Sequence, residues 1–529
     1  MKKLFLILLA ALSLSTSWAQ QAERLYVATD RDWYAAGETL YLSAFCMDAS
    51  GKELSPVSAV AYVELSSAEG MALSGKLTLL DGRGAGSLAL PRNLPSGNYR
   101  LSAYTALSAP TSQVISVYNT LSLSRVEGGV RVAKLPDSVT PGTTLGPVQA
   151  ALLPDGSLSL ESPEAATLSI SVYRNEPFPS YGSATLALAQ QGPATPPTSV
   201  IPEYDGEILT LKLAAPNGEP LEGLENREVF ISSPGHPGDI YVAPLQPDGT
   251  ARFYTYNFFG SGDMVVSLEK GAPGFQVQLQ SPFRQLPAAD LPQLVINRTQ
   301  SEAITRLGTR MQLTAAFDAD TLYNHLPVRE IPLMADECIR YILDDYTRFA
   351  TLREVFVEYL SDIRVKGRGD ALEMQVRCKD REKGVPSFRE FPSLVLLDGV
   401  PILDHSLVYN LDPSLVRAIE VYPYRYAFGK NAYYGVAHFR TFKEDLGGIR
   451  FGNNVRMVGF TGPSYPVAFT PPEGDRYPQQ RETLLWQPLA TIQPGEALLL
   501  PTLQAPEGLV LVIQGLTASG EAIYLKKVF

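Results

Sequence analysis

Val60-Ala61-Tyr62-Val63-Glu64-Leu65 alternates, with Ala61, Val63 and Leu65 on one side of an extended chain. Tyr99, Leu101 and Ala103 repeat the pattern against Arg100, Ser102 and Tyr104. Side chains of a strand point to opposite faces in turn, so a period of two marks strands with one face in a core. Working outward, turn pairs recur at Asp81-Gly82, Asp155-Gly156, Asn217-Gly218, Asp248-Gly249 and Ser519-Gly520. Each stands between runs rich in β-branched or aromatic residues, the pattern of hairpins in β-sandwiches. The 42 glycines and 41 prolines suit a chain with many turns. The expected fold class is mainly β, in tandem sandwiches.

The first residues carry a different signal. Met1-Lys2-Lys3 is basic, Leu4 to Leu14 is almost unbroken apolar chain, and Ser17-Trp18-Ala19 is a small-x-small cleavage site. This is the three-part pattern of a secretory signal peptide, and it predicts export to the periplasm or outer membrane. No Cys follows the cleavage site, and no later apolar run is long enough for a transmembrane helix. The rest is globular in composition, 45% hydrophobic and 19% charged, with a net charge of -11. Such a chain has no basic stripe to displace phosphate counterions, which argues against nucleic acid as a partner.

The predicted organisation is a signal peptide at 1–19 and a β-sandwich at 20–126. A second sandwich with a Pro-rich linker follows at 127–199, a third sandwich at 200–300 and a connector at 301–335. An α+β domain at 336–450 and a C-terminal β module at 451–529 complete it. The α+β assignment rests on Thr351-Leu352-Arg353-Glu354, which has capping-box spacing, followed by Val355, Phe356, Tyr359 and Leu360 at helical spacing. Asp412-Pro413 reads as the start of another short helix. Strands are expected at Ser393–Leu397, Ala418–Tyr422, Val436–Thr441 and Leu509–Gln514.

Two stretches resemble known families. Thr29-Asp30, Tyr34 and Gly37-Glu38, with the closing Pro95-Ser96-Gly97-Asn98-Tyr99, resemble a macroglobulin-like domain of the alpha-2-macroglobulin type. Leu394-Val395-Leu396-Leu397-Asp398-Gly399-Val400-Pro401, then Val416 to Tyr422, Gly429 and Tyr434-Gly435-Val436 to Thr441, are similar to the plug domain of TonB-dependent outer-membrane receptors. That resemblance makes Asp398, Gly399, Pro401, Gly429 and Gly435 motif residues. Too little chain follows Thr441 for a receptor barrel, which takes about 22 strands in large receptors. None of Cys46, Cys338 and Cys378 lies in a thioester motif, so covalent trapping of proteases is not expected. Cys46 reads as a small buried hydrophobe, and whether Cys338 and Cys378 pair stays open.

Catalytic chemistry has little to start from. The four histidines, His236, His325, His405 and His438, lie in no zinc motif, and there is no nucleophile elbow or phosphate loop. His405 follows Asp404 in a loop, a weak general-base signal. Glu337, Asp344, Asp345 and Glu358 read as helix-start and solvated carboxylates. No metal, cofactor or catalytic residue is expected. Tyr422, Tyr424, Tyr426, Phe428, Tyr433 and Tyr434 are the candidate partner contacts, read as aromatics on a glycine-containing loop that also suits packing on a neighbouring module. The expected function is that of a non-catalytic envelope protein. Its β spacers present a plug-like docking domain to an outer-membrane or periplasmic protein linked to TonB-dependent transport or assembly. Alternatives are an exported carbohydrate- or peptide-binding protein and a surface protein sent out by type IX secretion, whose signal the tail Glu521 to Phe529 resembles faintly.

Overall fold

The computed structural model describes residues 22–121, 131–132, 144–181, 185–194, 200–236, 239–256, 258–288, 290–317, 322–326, 338–379, 386–388, 393–470, 480–501 and 508–529. The stretch read as a signal peptide, Glu337, residues 195–199 of the expected linker and residues 471–479 lie outside them. The chain forms two compact units. One comprises Met1–Gly206, Phe283–Val328 and Pro463–Phe529, the other Glu207–Pro282 and Arg329–Gly462.

In the first unit, the alternating stretches become Val60–Ser67 and Gly97–Tyr104, neighbours in a five-stranded sheet. A four-stranded sheet that includes Glu23–Thr29, Thr39–Met47 and Arg83–Ala89 closes the sandwich over them. Ala61, Val63, Leu65, Tyr99, Leu101 and Ala103 all lie in the core, with Leu42 and Cys46 from the other sheet. At Asp81-Gly82 the backbone takes φ of +49 and +74. A Cβ on Gly82 would lie 2.7 Å from the Cys46 carbonyl, so that turn admits only glycine.

The second sandwich is assembled from distant chain. Ala166–Arg174 is flanked by Thr483–Ile492 and Leu509–Thr517, both antiparallel, with Ala522–Val528 outside. Leu158–Glu161 sits between Gln149–Leu152 and Leu498–Leu500 in the facing sheet. The modules anticipated at 127–199 and 451–529 therefore share hydrogen-bonded sheets, because a period of two identifies strands without naming their partners. The anticipated connector at 301–335 contains a helix, Ser301–Ala316, entered through an Asn297–Gln300 capping box. Its Leu307 and Met311 pack on Trp33 and Tyr118.

In the second unit, the third sandwich pairs a sheet of Thr250–Tyr254, Ile208–Ala214 and Gln276–Leu279 with one of Ile240–Pro244, Glu228–Ser232, Ser261–Ser267 and Val455–Thr461. The last of these strands lies beyond the anticipated end of that module at 300. The α+β unit carries a mixed five-stranded sheet in the order Ile339–Ile342, Val416–Phe428, Asn431–Thr441, Leu394–Leu397, Val400–Pro401. Val395, Leu397, Ile419 and Phe439 face a core with the helix Leu352–Glu358. Leu394, Leu396, Tyr422 and Val436 face Phe230 and Ile240 of the third sandwich. Both faces are covered, which is why Leu394-Val395-Leu396-Leu397 is apolar without alternation. Among the described residues, no helix is long and apolar enough to cross a membrane.

Candidate functional site

A cavity of about 420 Å³ opens in the second unit, within the size range of small-molecule sites. Strands of the two β systems build it. Phe230 comes from Glu228–Ser232, Met374 from Glu373–Lys379, Leu394 and Val395 from the central sheet, and Tyr433 from the long hairpin. Their apolar side chains are buried and form the floor.

The rim is charged, and most of its charges answer one another. Arg227 meets Glu269 at 2.9 Å and Lys270 meets Asp404 at 3.1 Å. Glu228 accepts from the Lys430 backbone N–H at 2.6 Å and from the Asn431 side-chain amide. The Lys430 ammonium donates to the Asn226 carbonyl at 2.7 Å and to no carboxylate among the described residues. Glu373 is exposed at the rim and makes no ion pair among the described residues, with Lys366 opposite it on the neighbouring strand.

His405 closes one side. It begins a helix, His405–Tyr409, capped by Asp404, whereas a loop was expected there. Its Nδ1 accepts from the Met374 N–H at 2.9 Å. Burial and the nearby Lys270 push its pKa down to about 4 against the pull of Asp404. The ring is therefore neutral near pH 7 and carries its proton on Nε2. That tautomer offers a donor and leaves no free basic nitrogen.

The motif residues of the α+β unit are structural in their contacts. Asp398 and Gly399, at φ of +48 and +87, turn Leu394–Leu397 into Val400–Pro401, where Pro401 pairs with Leu396. The buried Asp398 carboxylate accepts from the Thr441 N–H and hydroxyl, both at 2.7 Å, and from the Leu446 N–H at 2.9 Å. The Gly399 N–H donates to His438 Nε2 at 3.1 Å. His438 is buried, with Nδ1 3.3 Å from Glu420, poorly angled for a hydrogen bond. Burial pushes the Glu420 carboxyl up, but His438 and Arg340 outweigh it and hold it at about 2. Gly435 is pressed on Val376, and Gly429 on Glu228.

The aromatic group lies on a hairpin, Val416–Phe428 with Asn431–Thr441, rather than on the loop expected. Gly429-Lys430 is its two-residue turn, so the chain pairs up to Phe428 and from Asn431. Tyr422 and Tyr433 are buried with Phe230 and Ile240, and Tyr426 and Phe428 pack against them. Tyr424 and Tyr434 are half-buried, near Lys379 and Arg425 respectively. Only Tyr433 of the six reaches the cavity. Apart from Asp404, the cavity's charged residues escaped the sequence reading, since they belong to no motif and meet through tertiary packing.

Cys46, Cys338 and Cys378 form no disulfide among the described residues, and Cys46 is fully buried in the first core. Among the described residues, no three His, Cys, Asp or Glu side chains group as metal ligands. In the first unit, Asp30 accepts from the Tyr34 hydroxyl at 2.7 Å and the Tyr41 N–H at 3.0 Å. Arg31 joins Glu38 at 3.1 Å, and Arg310 joins Glu482 at 2.9 Å and Glu176 at 3.0 Å. The Asp-Tyr-Gly-Glu motif thus ends in a buried polar network.

No protein-family model matches the chain, and no curated protein does. Solved structures similar to it include trypsin-activated alpha-2-macroglobulin from Escherichia coli, at 11% identity over 96% of this chain and 31% of that one, with a TM-score of 0.17. The elastase-activated Escherichia coli protein gives 11% identity, 96% and 43% coverage, and a TM-score of 0.22. A Salmonella alpha-2-macroglobulin mutant gives 11%, 96% and 39%, and 0.21. The chain spans less than half the length of each, and TM-scores this low carry no argument about fold or activity.

Proposed function

We propose that the chain is a non-catalytic protein of the cell envelope whose α+β unit docks an outer-membrane partner linked to TonB-dependent transport or assembly. The β-sandwiches act as spacers and supports. One observation carries the reading: a strip of large, partly exposed side chains on the α+β unit, linked through Arg348. Tyr346, 41% exposed, stacks on Tyr359 with ring centroids 4.3 Å apart. Arg348 lies over the Phe442 ring at 5.6 Å and donates to the Pro413 carbonyl at 2.6 Å. Phe442, 49% exposed, bonds through its N–H to the Leu415 carbonyl. Tyrosine, phenylalanine and arginine are the residues that anchor protein interfaces, and exposed apolar patches mark them. The motif residues are committed to internal contacts, and the exposed aromatics are the surface that we assign to recognition.

The test is site-specific photo-crosslinking in intact cells, with the crosslinker at Val357, 76% exposed on the helix Leu352–Glu358 of the same unit, at Phe442 or, as a control in the other unit, at Leu499, 64% exposed. A discrete adduct containing an outer-membrane protein is expected from the first two positions and not from the third. Absence of adducts, or the same adducts from all three, would count against docking at this strip.

A further inference from the structure

We propose that the cavity of the second unit binds a short peptide of apolar residues with free termini, a zwitterion with an apolar body. This rests on the cavity alone and is independent of the docking strip. The floor, formed by Phe230, Met374, Leu394 and Val395, offers buried apolar surface for side chains. At the rim, Arg227 with Glu269 and Lys270 with Asp404 are already paired. Glu228 is buried and taken up by the Lys430 N–H and the Asn431 amide, which leaves two exposed charges of opposite sign. The Lys430 ammonium has only a carbonyl oxygen as acceptor, and the Glu373 carboxylate makes no ion pair among the described residues, although Lys366 lies opposite it on the neighbouring strand.

A ligand bearing one charge would answer only one of these groups. A zwitterion answers both, its carboxylate toward Lys430 and its ammonium toward Glu373. The neutral His405 adds an Nε2–H donor on the same wall, held in direction by the Met374 N–H on its other nitrogen. It suits a peptide carbonyl. A sugar is a poorer match, because its hydroxyls would bury unanswered against an apolar floor.

The experiment is calorimetric titration of the exported full-length chain with the dipeptide leucyl-leucine. Both key side chains are exposed, so Glu373→Gln and Lys430→Gln should fold as the parent does. Saturable binding is expected, weakened about tenfold or more by each substitution, because each removes a charge-assisted contact. N-acetyl-leucyl-leucine amide, which lacks both terminal charges, should not bind measurably. No saturable binding of leucyl-leucine at millimolar concentration would overturn the proposal. So would equal binding of the capped peptide, or parental affinity in both variants.

Discussion

Asp398 holds a left-handed backbone conformation and three hydrogen bonds at once. Asp398→Ala would leave the Thr441 and Leu446 donors buried without acceptors and keep the unfavourable φ. A loss of roughly 3 kcal/mol in urea unfolding is expected, and less for Asp398→Asn, which tolerates that φ and keeps one acceptor oxygen. Gly435→Ala should be similarly damaging, since its Cβ would fall 2.4 Å from Val376 at φ +82. In the first unit, burial pushes the Glu38 carboxyl up to about 7, assisted by Glu482 and opposed by Arg31. The folded chain then holds this proton more tightly than the unfolded chain, whose carboxyl titrates near 4.5. The contribution is complete below about pH 4.5 and is lost as the pH rises through about 7. Thermal unfolding followed from pH 4.5 to 7 should show a decline in the parent that is shallower in Glu38→Gln.

Among the elements, those governed by near neighbours were legible. The Thr351–Glu354 capping box is present, with Glu354 bonding back to the Thr351 N–H at 3.2 Å. Thr351→Ala should cost about 1 kcal/mol, read by chemical denaturation. Val436–Thr441 formed as the end of the longer Asn431–Thr441, and Leu509–Gln514 grew into Leu509–Thr517. The tyrosine hairpin was misread because Gly429 in a strand-rich run signals a loop as well as a tight turn. Its strands continue to the turn because Phe428 and Tyr426 find apolar surface on the third sandwich. The cavity was illegible for the complementary reason. Lys430 and Glu373 acquire meaning only when a hairpin turn and a remote strand bring them to one rim.

At the scale of the whole molecule, each unit is discontinuous in sequence, and that is where sequence reading lost the boundaries. Ala166–Arg174 looked like part of a self-contained module, yet both its neighbours come from beyond residue 480. A chain ended at Gly462 should lose the sheet around Ala166–Arg174 while keeping the hairpin at 416–441, whose neighbours all lie before that point. Hydrogen exchange followed by mass spectrometry would show protection lost in the first segment and retained in the second.

The same pairing bears on how the protein is made. A ribosome delivers Ala166–Arg174 long before Thr483–Ile492 and Leu509–Thr517, so the second sandwich stays open through most of synthesis. Contacts so remote in sequence close slowly. A nascent chain with an unfinished sheet carries bare strand edges, which are open to wrong pairing until the last strands arrive.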